Sequence, residues 1–566
     1  MQPTPIPWMT AAAALGAALT LGGCVVLLDY DDYEDATAGA GGEGGASEPC
    51  TPGTTDACYS GDPGTENVGV CVGGTRTCRP DGLGYGECAG EVIPAAEVAL
   101  NLADEDCDTL AGAEPRWGQR FGDSDPQGLG GLATGGDEIV IAGWFTGLLT
   151  LGGGHELVRP TSSGPDLFVA KLSPEGQPLW VVGGGAGTSP QRAQGVAADV
   201  LGDLFVTGYR EAVSGPSASP EVGFLQRLNP NGSAGGAQTL FGSGSGSDHA
   251  RGQAVAVNAV DQAFVAGRYQ GSIVIGAETH QSSPADQSNV LVAQYMGAVT
   301  PGWSRSFGGT AGSEALGVVI DGAGDVLVTG HYREIMDFDQ AVDPLVDDLA
   351  DADEKSDAFV MKLGADGALL WARGLVDGTN ESNAAGRAIG VDLRDGSVIV
   401  AGAASGTTEF AGDGSAPRPS GGALNAFAAK YDAQGSFLWA KVFRAVGVHQ
   451  ATGLSVDGEG SVFVSGVFSG DIDFDPDAPG GELTSAGAQD LFLAKLSEQG
   501  AHLWSGRFAR VGAIAPEADP RLIRVAAPAG EAILAGSWDS ELDFGAAGGP
   551  LPPGGNLDVF VARFGR

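Results

Sequence analysis

The feature that most constrains this chain is one phrase that recurs along it. Residues 167–180 read LFVAKLSPEGQPLW, and residues 491–504 read LFLAKLSEQGAHLW. The other copies are more degenerate, and the last copy, DVFVARF at 558–564, has no following W-x-x-x-F segment. Successive units are spaced 57 to 68 residues apart. The positions that align with the tryptophan are Trp117, Trp180, Ala237, Trp303, Trp371, Trp439 and Trp504.

Two further landmarks recur in every unit. The first is a β-rich run that closes on glycine, and its glycines are Gly143, Gly208, Gly267, Gly330, Gly402, Gly466 and Gly536. The second lies just before it and is a run of small and branched residues, such as AQGVAAD at 193–199. Each unit therefore predicts four short strands, joined by turns that are rich in glycine, aspartate and proline.

Four antiparallel strands in each of seven units predict an all-β fold, a seven-bladed β-propeller over residues 117–566. We expect the small-residue strand to lie innermost, where the blades crowd the axis. The tryptophans should fill the wider gaps between blades. Because the array starts with a lone W-x-x-x-F segment, residues 117–121 should pair beside 558–564 and close the ring, which removes exposed sheet faces.

The repeated landmarks together resemble the SBBP repeat family, whose name stands for seven-bladed β-propeller. Members of this family are domains of bacterial surface and secreted proteins. The resemblance covers about 117–566, and it implies a fold without a settled activity.

The N-terminus carries an export pattern. Ala11 to Leu21 is apolar but too short to span a bilayer as a helix. It ends in Leu-Gly-Gly-Cys at residues 21–24, which resembles a bacterial lipobox. The resemblance implies a lipoprotein signal peptide at 1–23 and lipid attachment to Cys24. The alternative is an incidental thiol in an ordinary export signal.

A lipidated cysteine would attach the protein stably to a membrane, since it carries more than one acyl chain. The next residue is Val25 rather than aspartate, and in a bacterium with two membranes the resemblance to lipoproteins then implies the outer membrane. We therefore expect an outer-membrane or cell-surface location. Residues 24–49 are acidic and rich in glycine and alanine, and they predict a flexible tether.

A small cysteine-rich module is predicted over residues 50–110. An even number of cysteines this close together in an exported chain predicts disulfides, in one of fifteen possible pairings. Zinc is the alternative, but the module has no C-x-x-C pair and no nearby histidine. The six cysteines are Cys50, Cys58, Cys71, Cys78, Cys88 and Cys107.

The module resembles a cysteine-rich module of myxobacterial surface proteins that closes with a metal-binding motif. The positions that agree with the motif are Glu97, Asn101, Asp104, Asp106, Cys107 and Asp108. The sequence departs from the motif at Leu100, Leu102 and Thr109, which replace a cysteine and two glycines. The alternating carboxylates of Asp104, Asp106 and Asp108 could bind calcium. The alternative is a solvated acidic loop beside a disulfide.

A second set of alternating carboxylates lies in the sequence DIDFDPD. Alternate residues of an extended segment share a face, so these side chains could also bind calcium at the rim of a blade. The alternative is an exposed loop after the third strand of the unit. The residues are Asp471, Asp473, Asp475 and Asp477.

The charge of the chain argues against two classes of partner. The sequence has 29 basic and 71 acidic residues, for a formal net charge of −42. Such a field repels nucleic acid and anionic lipid surfaces.

Catalytic motifs are missing from the sequence, which has no H-E-x-x-H, no G-x-S-x-G and no P-loop. The six histidines are His155, His249, His280, His331, His449 and His502, and they are scattered along the chain.

The sequence therefore predicts a monomeric, lipid-anchored binding or scaffold module at the cell surface. A protein or polysaccharide ligand would bind at a face of the propeller, where loops from all blades converge. The alternatives are a polysaccharide lyase or glycosidase with the same fold, and a purely structural envelope protein. Any specific function should lie where the repeats differ, chiefly in the loops after each glycine-closed run.

Overall fold

The computed structural model describes residues 49–94 and 115–565 with internal gaps. The gaps are 62–65, 68–69, 160–163, 185–188, 212–219, 243–247, 283, 298, 310, 338–344, 347–354, 376–382, 412–416, 420–423, 445–446, 477–480, 488, 512–523, 528–530, 545–549 and 553–555. The described residues contain strands and turns and no helix. They fall into two compact units: 49–58 with 73–91, and 59–72 with 92–565.

The first unit is a short hairpin held by disulfides. Strands β1 (Thr55–Cys58) and β2 (Gly74–Thr77) pair antiparallel. Cys50 is bonded to Cys78, and Cys58 is bonded to Cys88. Cys71, which belongs to the second unit, is also disulfide-bonded. The prediction of a disulfide module is confirmed. Covalent links suit a unit this small, whose core alone would stabilise it weakly.

The second unit is built from strands β3 to β41. It begins with β3 (Pro115–Phe121). Blade 1 contains β4 (Gln127–Gly135), β5 (Glu138–Phe145), β6 (Leu148–Gly152), β7 (His155–Val158), β8 (Asp166–Leu172) and β9 (Pro178–Gly183). Blade 2 contains β10 (Gln191–Ala198), β11 (Leu204–Glu211), β12 (Glu221–Leu228) and β13 (Thr239–Phe241). Blade 3 contains β14 (His249–Val257), β15 (Gln262–Gln270), β16 (Ser272–Ile275), β17 (Glu278–Gln281), β18 (Ser288–Met296) and β19 (Thr300–Gly309).

The remaining four blades follow the same plan. Blade 4 contains β20 (Glu314–Ile320), β21 (Val326–Tyr332), β22 (Ile335–Asp337), β23 (Leu345–Val346), β24 (Asp357–Leu363) and β25 (Leu369–Leu375). Blade 5 contains β26 (Ala384–Val391), β27 (Val398–Ala404), β28 (Thr407–Glu409), β29 (Pro417–Pro419), β30 (Asn425–Tyr431) and β31 (Phe437–Val442). Blade 6 contains β32 (His449–Val456), β33 (Val462–Phe468), β34 (Asp471–Asp473), β35 (Glu482–Thr484), β36 (Asp490–Leu496) and β37 (His502–Val511). Blade 7 contains β38 (Arg524–Ala526), β39 (Ala532–Trp538), β40 (Glu541–Asp543) and β41 (Asp558–Phe564).

Each blade is a four-stranded antiparallel sheet whose strands we name A to D from the axis outward. Blade 1 has the order β4-β5-β8-β9, and blade 7 takes its strand D from the start of the propeller, in the order β38-β39-β41-β3. In that closing pair Phe121 lies opposite Val559. The predicted ring closure and the seven-bladed fold are confirmed. The short extra strands lie between strands B and C, most of them as hairpins, and β22 and β40 also pair with strand D of the preceding blade.

The small-residue strands lie at the axis, as predicted. Each strand A contacts strand A of both neighbouring blades, and β38 contacts β4 to complete the circle. The apolar side chains of adjacent blades meet between the sheets. One such cluster joins Phe264 of blade 3 to Val328 and Phe359 of blade 4, and all three are fully buried.

A bulge in strand A explains the glycine that closes strand B in six of the blades. In six of the seven described strands A the register shifts at the same point, for example between Ala193 and Gly195. The bulge pushes a strand A carbonyl toward strand B. A Cβ on Gly208 would lie 2.0 Å from the carbonyl oxygen of Arg192, and a Cβ on Gly330 would lie 1.9 Å from that of Glu314. Only glycine fits at these positions.

The repeated tryptophans connect neighbouring blades. The indole Nε1 of Trp371, in strand D of blade 4, donates to the carbonyl of Ala433 in the C–D turn of blade 5. The ring also lies against Gly435, which has a φ of +80°. The equivalent bonds join Trp117 to Pro174, Trp180 to Pro230, Trp303 to Ala365 and Trp439 to Glu498. We call this contact the tryptophan latch.

The unit that lacks the tryptophan uses another donor. Ala237 replaces the indole in blade 2, and two residues later the hydroxyl of Thr239 donates to the carbonyl of Val299 in blade 3 at 2.9 Å. The turn carbonyl of blade 3 therefore still accepts a hydrogen bond from blade 2.

The lysine of strand C also has a structural role. Lys362 lies 2.7 Å from Oδ2 of Asp321, in the A–B turn of its own blade, and both side chains are nearly fully buried. Oδ1 of Asp321 accepts hydrogen bonds from the N–H groups of Ala323 and Asp325. Lys430 with Asp392 and Lys495 with Asp457 repeat the arrangement. The recurring lysine therefore fixes a turn.

Candidate functional site

Charged side chains collect at one end of blades 2 to 4, on strands A and B. At this end strand A begins, strand B ends and strand C begins, and we call it the B–C end. At successive blade junctions, the strand A residue of one blade contacts the strand B residue of the preceding blade. Arg192 lies over the ring of Trp144 at 4.1 Å, Arg251 lies over the ring of Tyr209 at 4.3 Å, and Glu314 lies 3.6 Å from Arg268. We call these six residues the arginine arc.

A cavity of about 230 Å³ opens at the B–C end between blades 2 and 3. Its walls come from the start of β12, the start of β14, the end of β15 and the start of β18. The side chains that matter chemically are Glu221, His249, Arg251, Arg268, Gln270 and Ser288. The cavity is therefore lined mainly by polar groups, and most of them can donate hydrogen bonds.

One wall of the cavity is a fixed ion pair. Arg251 donates through Nε and Nη2 to both carboxylate oxygens of Glu221. Burial alone would lower the pKa of Arg251, but the hydrogen bonds with Glu221, together with the charges of Tyr209, Glu221 and Glu314, raise it. The main-chain N–H of Glu221 also donates to Nδ1 of His249 at 3.3 Å. Because Nδ1 accepts this bond, the ring proton of His249 lies on Nε2, where it can donate to a ligand.

The other wall carries a guanidinium whose nearest carboxylate is not within hydrogen-bonding distance. Arg268 is about one-third exposed, and Glu314 lies 3.6 Å away while it accepts a hydrogen bond from Gln253. His331 lies in the same group of charges. Burial lowers its pKa, Glu314 opposes this, and Arg387, Arg333 and Arg268 lower it further. Three guanidinium groups and one carboxylate therefore act on His331.

Several arginines at the B–C end have N–H groups that are not bonded to a protein acceptor. Among the residues that the structure describes, Arg192, Arg210, Arg268 and Arg333 make no hydrogen bond to a protein acceptor. Arginines elsewhere in the propeller are mostly engaged, as when Arg373 donates to the carbonyl of Gly435. A chain with a net charge of −42 thus presents unsatisfied guanidinium groups in one place.

A serine, a histidine and a glutamate meet elsewhere, on the outer part of blade 3. The hydroxyl of Ser304 lies 2.7 Å from Nε2 of His280 and donates to Glu278 at 2.5 Å. In a hydrolase triad the acid would hold the other ring nitrogen, whereas Glu278 lies 3.7 Å from the same Nε2. Ser304 is also only 2% exposed. The cluster therefore attaches the hairpin β16–β17 to β19. It lines a cavity of about 700 Å³, but it lacks the geometry of a hydrolase triad.

The aspartates predicted from DIDFDPD lie in and after the hairpin strand β34. Asp471 accepts from the hydroxyl of Thr484, Asp473 accepts from the N–H of Asp475, and Asp475 accepts from Nζ of Lys441. Each carboxylate thus has its own protein partner. In the described part of the chain no group of three or more histidine, cysteine, aspartate or glutamate residues is arranged to hold a metal ion. Calcium binding stays a prediction.

The other predicted site residues lie outside the described residues. They are Cys24, Asp104, Asp106, Asp108 and Asp477. The tether at 24–48 lies outside them as well. Within the described ranges there is no helix that is long and apolar enough to cross a membrane.

Sequence reasoning missed the arginine arc because its members are far apart in the chain. Arg251 meets Tyr209 and Arg192 meets Trp144 only after strands A and B have paired and the blades have packed. A usable signal was present in the aligned repeats. The strand A segments RAQGV at 192–196, RGQAV at 251–255 and EALGV at 314–318 begin with a charge at the same unit position.

The blade topology and the ring closure define this chain as a seven-bladed β-propeller. No protein family and no curated protein matches the chain.

The chain has weak likeness to several solved structures. A protein of unknown function from Bacteroides caccae is 9% identical, with 53% of this chain and 93% of that chain covered and a TM-score of 0.24. Sqt1 from Chaetomium thermophilum is 10% identical, with 80% and 99% covered and a TM-score of 0.31. An extracellular domain from B. thetaiotaomicron is 10% identical, with 75% and 54% covered and a TM-score of 0.20. At these values the likeness carries no argument about function.

Proposed function

We propose that this protein is an exported, lipid-anchored binding module that takes its ligand at the B–C end of the propeller. One observation carries the proposal: the charged positions of the arginine arc are not needed to build a blade. Blade 3 has Arg251 paired with Arg268, whereas blade 5 has Ala385 paired with Ala403 at the equivalent positions. Both blades form the same sheet, so the arginines are available for another role.

The same observation favours binding over catalysis. The tryptophans, the strand C lysines and the strand B glycines repeat because each blade solves the same packing problem. Residues that depart from the repeat and remain partly exposed are those on which recognition can act. The arginine arc supplies fixed donors and stacked guanidinium groups, which suit binding and do not include a nucleophile with a base.

A binding assay with the full mature chain tests this proposal. The chain would be applied to immobilised glycan and peptide arrays beside the variant Arg251→Ala/Arg268→Ala. Arg418→Ala is the matched control, because it removes an arginine charge from an exposed position in the outer hairpin of blade 5. We expect retention by the wild type and the control, and loss in the double variant. Retention that is equal in all three would place the ligand elsewhere.

Export and anchoring form the second part of the proposal. Disulfides such as Cys50–Cys78 are typical of proteins in oxidising compartments outside the cytosol. The lipobox-like sequence supports lipid attachment at Cys24, with the following residues as a tether to the outer membrane or cell surface. Cys24→Ser should move the protein from the membrane fraction to the soluble fraction. Unchanged membrane association of this variant would contradict the anchor.

Calcium is a further part of the proposal that the same array assay can test. The carboxylates of Asp104, Asp106 and Asp108 are hard oxygen donors of the kind that calcium prefers. If calcium supports binding, a chelator should reduce retention, and added calcium but not magnesium should restore it. Retention that is insensitive to the chelator would leave the ion without a role in binding.

A further inference from the structure

We propose that the cavity between blades 2 and 3 recognises the carboxylate of a small acidic sugar such as a hexuronate, with Arg268 as the residue that binds it. The inference rests on the proposed function and deepens it by naming the class of ligand.

The balance of donors and acceptors in the cavity points to an anionic ligand. Arg268, Nε2 of His249 and the side chains of Gln270 and Ser288 can all donate. Among the described lining residues the one carboxylate is that of Glu221, and it already accepts from Arg251 through both oxygens. A ligand that brings acceptors would therefore complete the hydrogen bonding of the site, whereas a cationic ligand would meet a donor surface.

Arg268 is suited to bind that carboxylate. Its guanidinium is about one-third exposed, and its distance of 3.6 Å to Glu314 is too long for a hydrogen bond. Arginine presents two parallel N–H groups that match the two oxygens of a carboxylate. Arg333 and Arg387 lie near enough to lower the pKa of His331, so they add positive potential on the same side.

The remaining lining fits the hydroxyl groups of a sugar. Gln270, Ser288 and His249 are polar side chains around the same cavity, and each can form a hydrogen bond with a hydroxyl. A simple carboxylate such as acetate would leave these groups without partners. We therefore expect the sugar ring to add affinity beyond that of the carboxylate alone.

The size of the cavity and the charge of the protein limit the ligand to a short one. The volume of about 230 Å³ is below the roughly 300–1,000 Å³ that encloses a drug-sized molecule, so one sugar unit fits. The net charge of −42 repels a long polyanion along its whole length. A single carboxylate feels mainly the nearby arginines, because salt screens charges beyond about 8 Å at physiological ionic strength.

Isothermal titration calorimetry with the full mature chain tests this inference. The probes are galacturonate, galactose, which lacks the carboxylate, and acetate, which lacks the sugar. We expect galacturonate to bind at least tenfold more tightly than either of the others. Arg268→Ala should weaken galacturonate binding about ten- to hundredfold, the usual worth of hydrogen bonds to a charged group. Arg268→Lys should recover little of the loss because it lacks the paired N–H groups, and Arg418→Ala should bind as the wild type does.

The outcomes separate this inference from the proposed function. If galactose binds as tightly as galacturonate, the site does not recognise the carboxylate. If acetate binds as tightly as galacturonate, the site does not recognise the sugar ring. Undetectable binding of galacturonate would overturn the inference, while array retention that depends on Arg251 and Arg268 would still support the proposed function. An unchanged thermal unfolding midpoint of Arg268→Ala shows that the variant is folded, so that a lost signal reports on the site.

Discussion

The tryptophan latch predicts how much the free energy of unfolding falls when a methyl group is added to the C–D turn that the indole contacts. Gly435 lies in the C–D turn of blade 5 with a φ of +80°, and a Cβ there would lie 2.7 Å from Cδ2 of Trp371. Alanine in the left-handed region costs about 1–2 kcal/mol. Forcing the Cβ against the indole adds about 1–3 kcal/mol, as overpacking does in a tight core. Gly435→Ala should therefore destabilise the fold by about 2–5 kcal/mol.

A matched glycine separates the two contributions. Gly324 has a φ of +87°, but a Cβ there would meet nothing within 4 Å. Gly324→Ala should therefore show only the backbone cost of about 1–2 kcal/mol. Urea unfolding followed by tryptophan fluorescence and circular dichroism would compare the midpoints of the two variants. The excess for Gly435→Ala should also shrink when Trp371 is replaced by leucine. Equal midpoints for the two alanine variants would refute the latch as a source of stability.

Two further predictions concern buried ionisable groups. Burial lowers the pKa of His449, which is fully buried and lies 2.8 Å from the side-chain oxygen of Asn425. Below about pH 6.5 the unfolded chain therefore takes up a proton that the folded chain does not, so the free energy of unfolding should fall as the pH drops from 7 to 5. In His449→Gln the slope of the unfolding free energy against pH should decrease by up to about 1.4 kcal/mol per pH unit. Urea unfolding at several pH values would measure it. Lys362→Met should lower the free energy of unfolding by about 3–5 kcal/mol, because it leaves Asp321 buried without its cation. The double variant Lys362→Met/Asp321→Asn should recover part of that free energy in the same assay. A pH slope unchanged in His449→Gln, or a double variant no more stable than the single one, would contradict these assignments.

The repeated part of the fold could be predicted from the sequence, because each recurring residue is required by the structure of its own unit. The glycine that closes strand B recurs because the strand A bulge leaves no room for a side chain, as at Gly208 and Gly330. Ring closure followed from the unpaired first segment, and Phe121 indeed lies beside Val559. These features depend on positions within one unit or on the order of units, and both are visible in a single chain.

The candidate site could not be predicted from the sequence, because it is formed by contacts between residues of different units. Glu221 and Arg251 belong to different blades, and their pairing requires the register of strands C and A across a blade junction. The same holds for Ser304 and His280, which meet only because a hairpin folds back on strand D. A histidine count in the sequence could not show that His249 lines the cavity between blades 2 and 3, whereas His280 is hydrogen-bonded to the nearly buried hydroxyl of Ser304.

The most direct test of the account is a hydrogen–deuterium exchange footprint of the bound ligand on the full mature chain. The account predicts that saturating galacturonate slows exchange in peptides that contain residues 249–253, 268–270 and 288, at the B–C end of blades 2 and 3. Exchange in the A–B and C–D turns at the other end, such as the turn around Gly435, should not change. Protection confined to those turns, or to the disulfide module, would contradict the claim that the ligand binds among the charged positions that depart from the repeat.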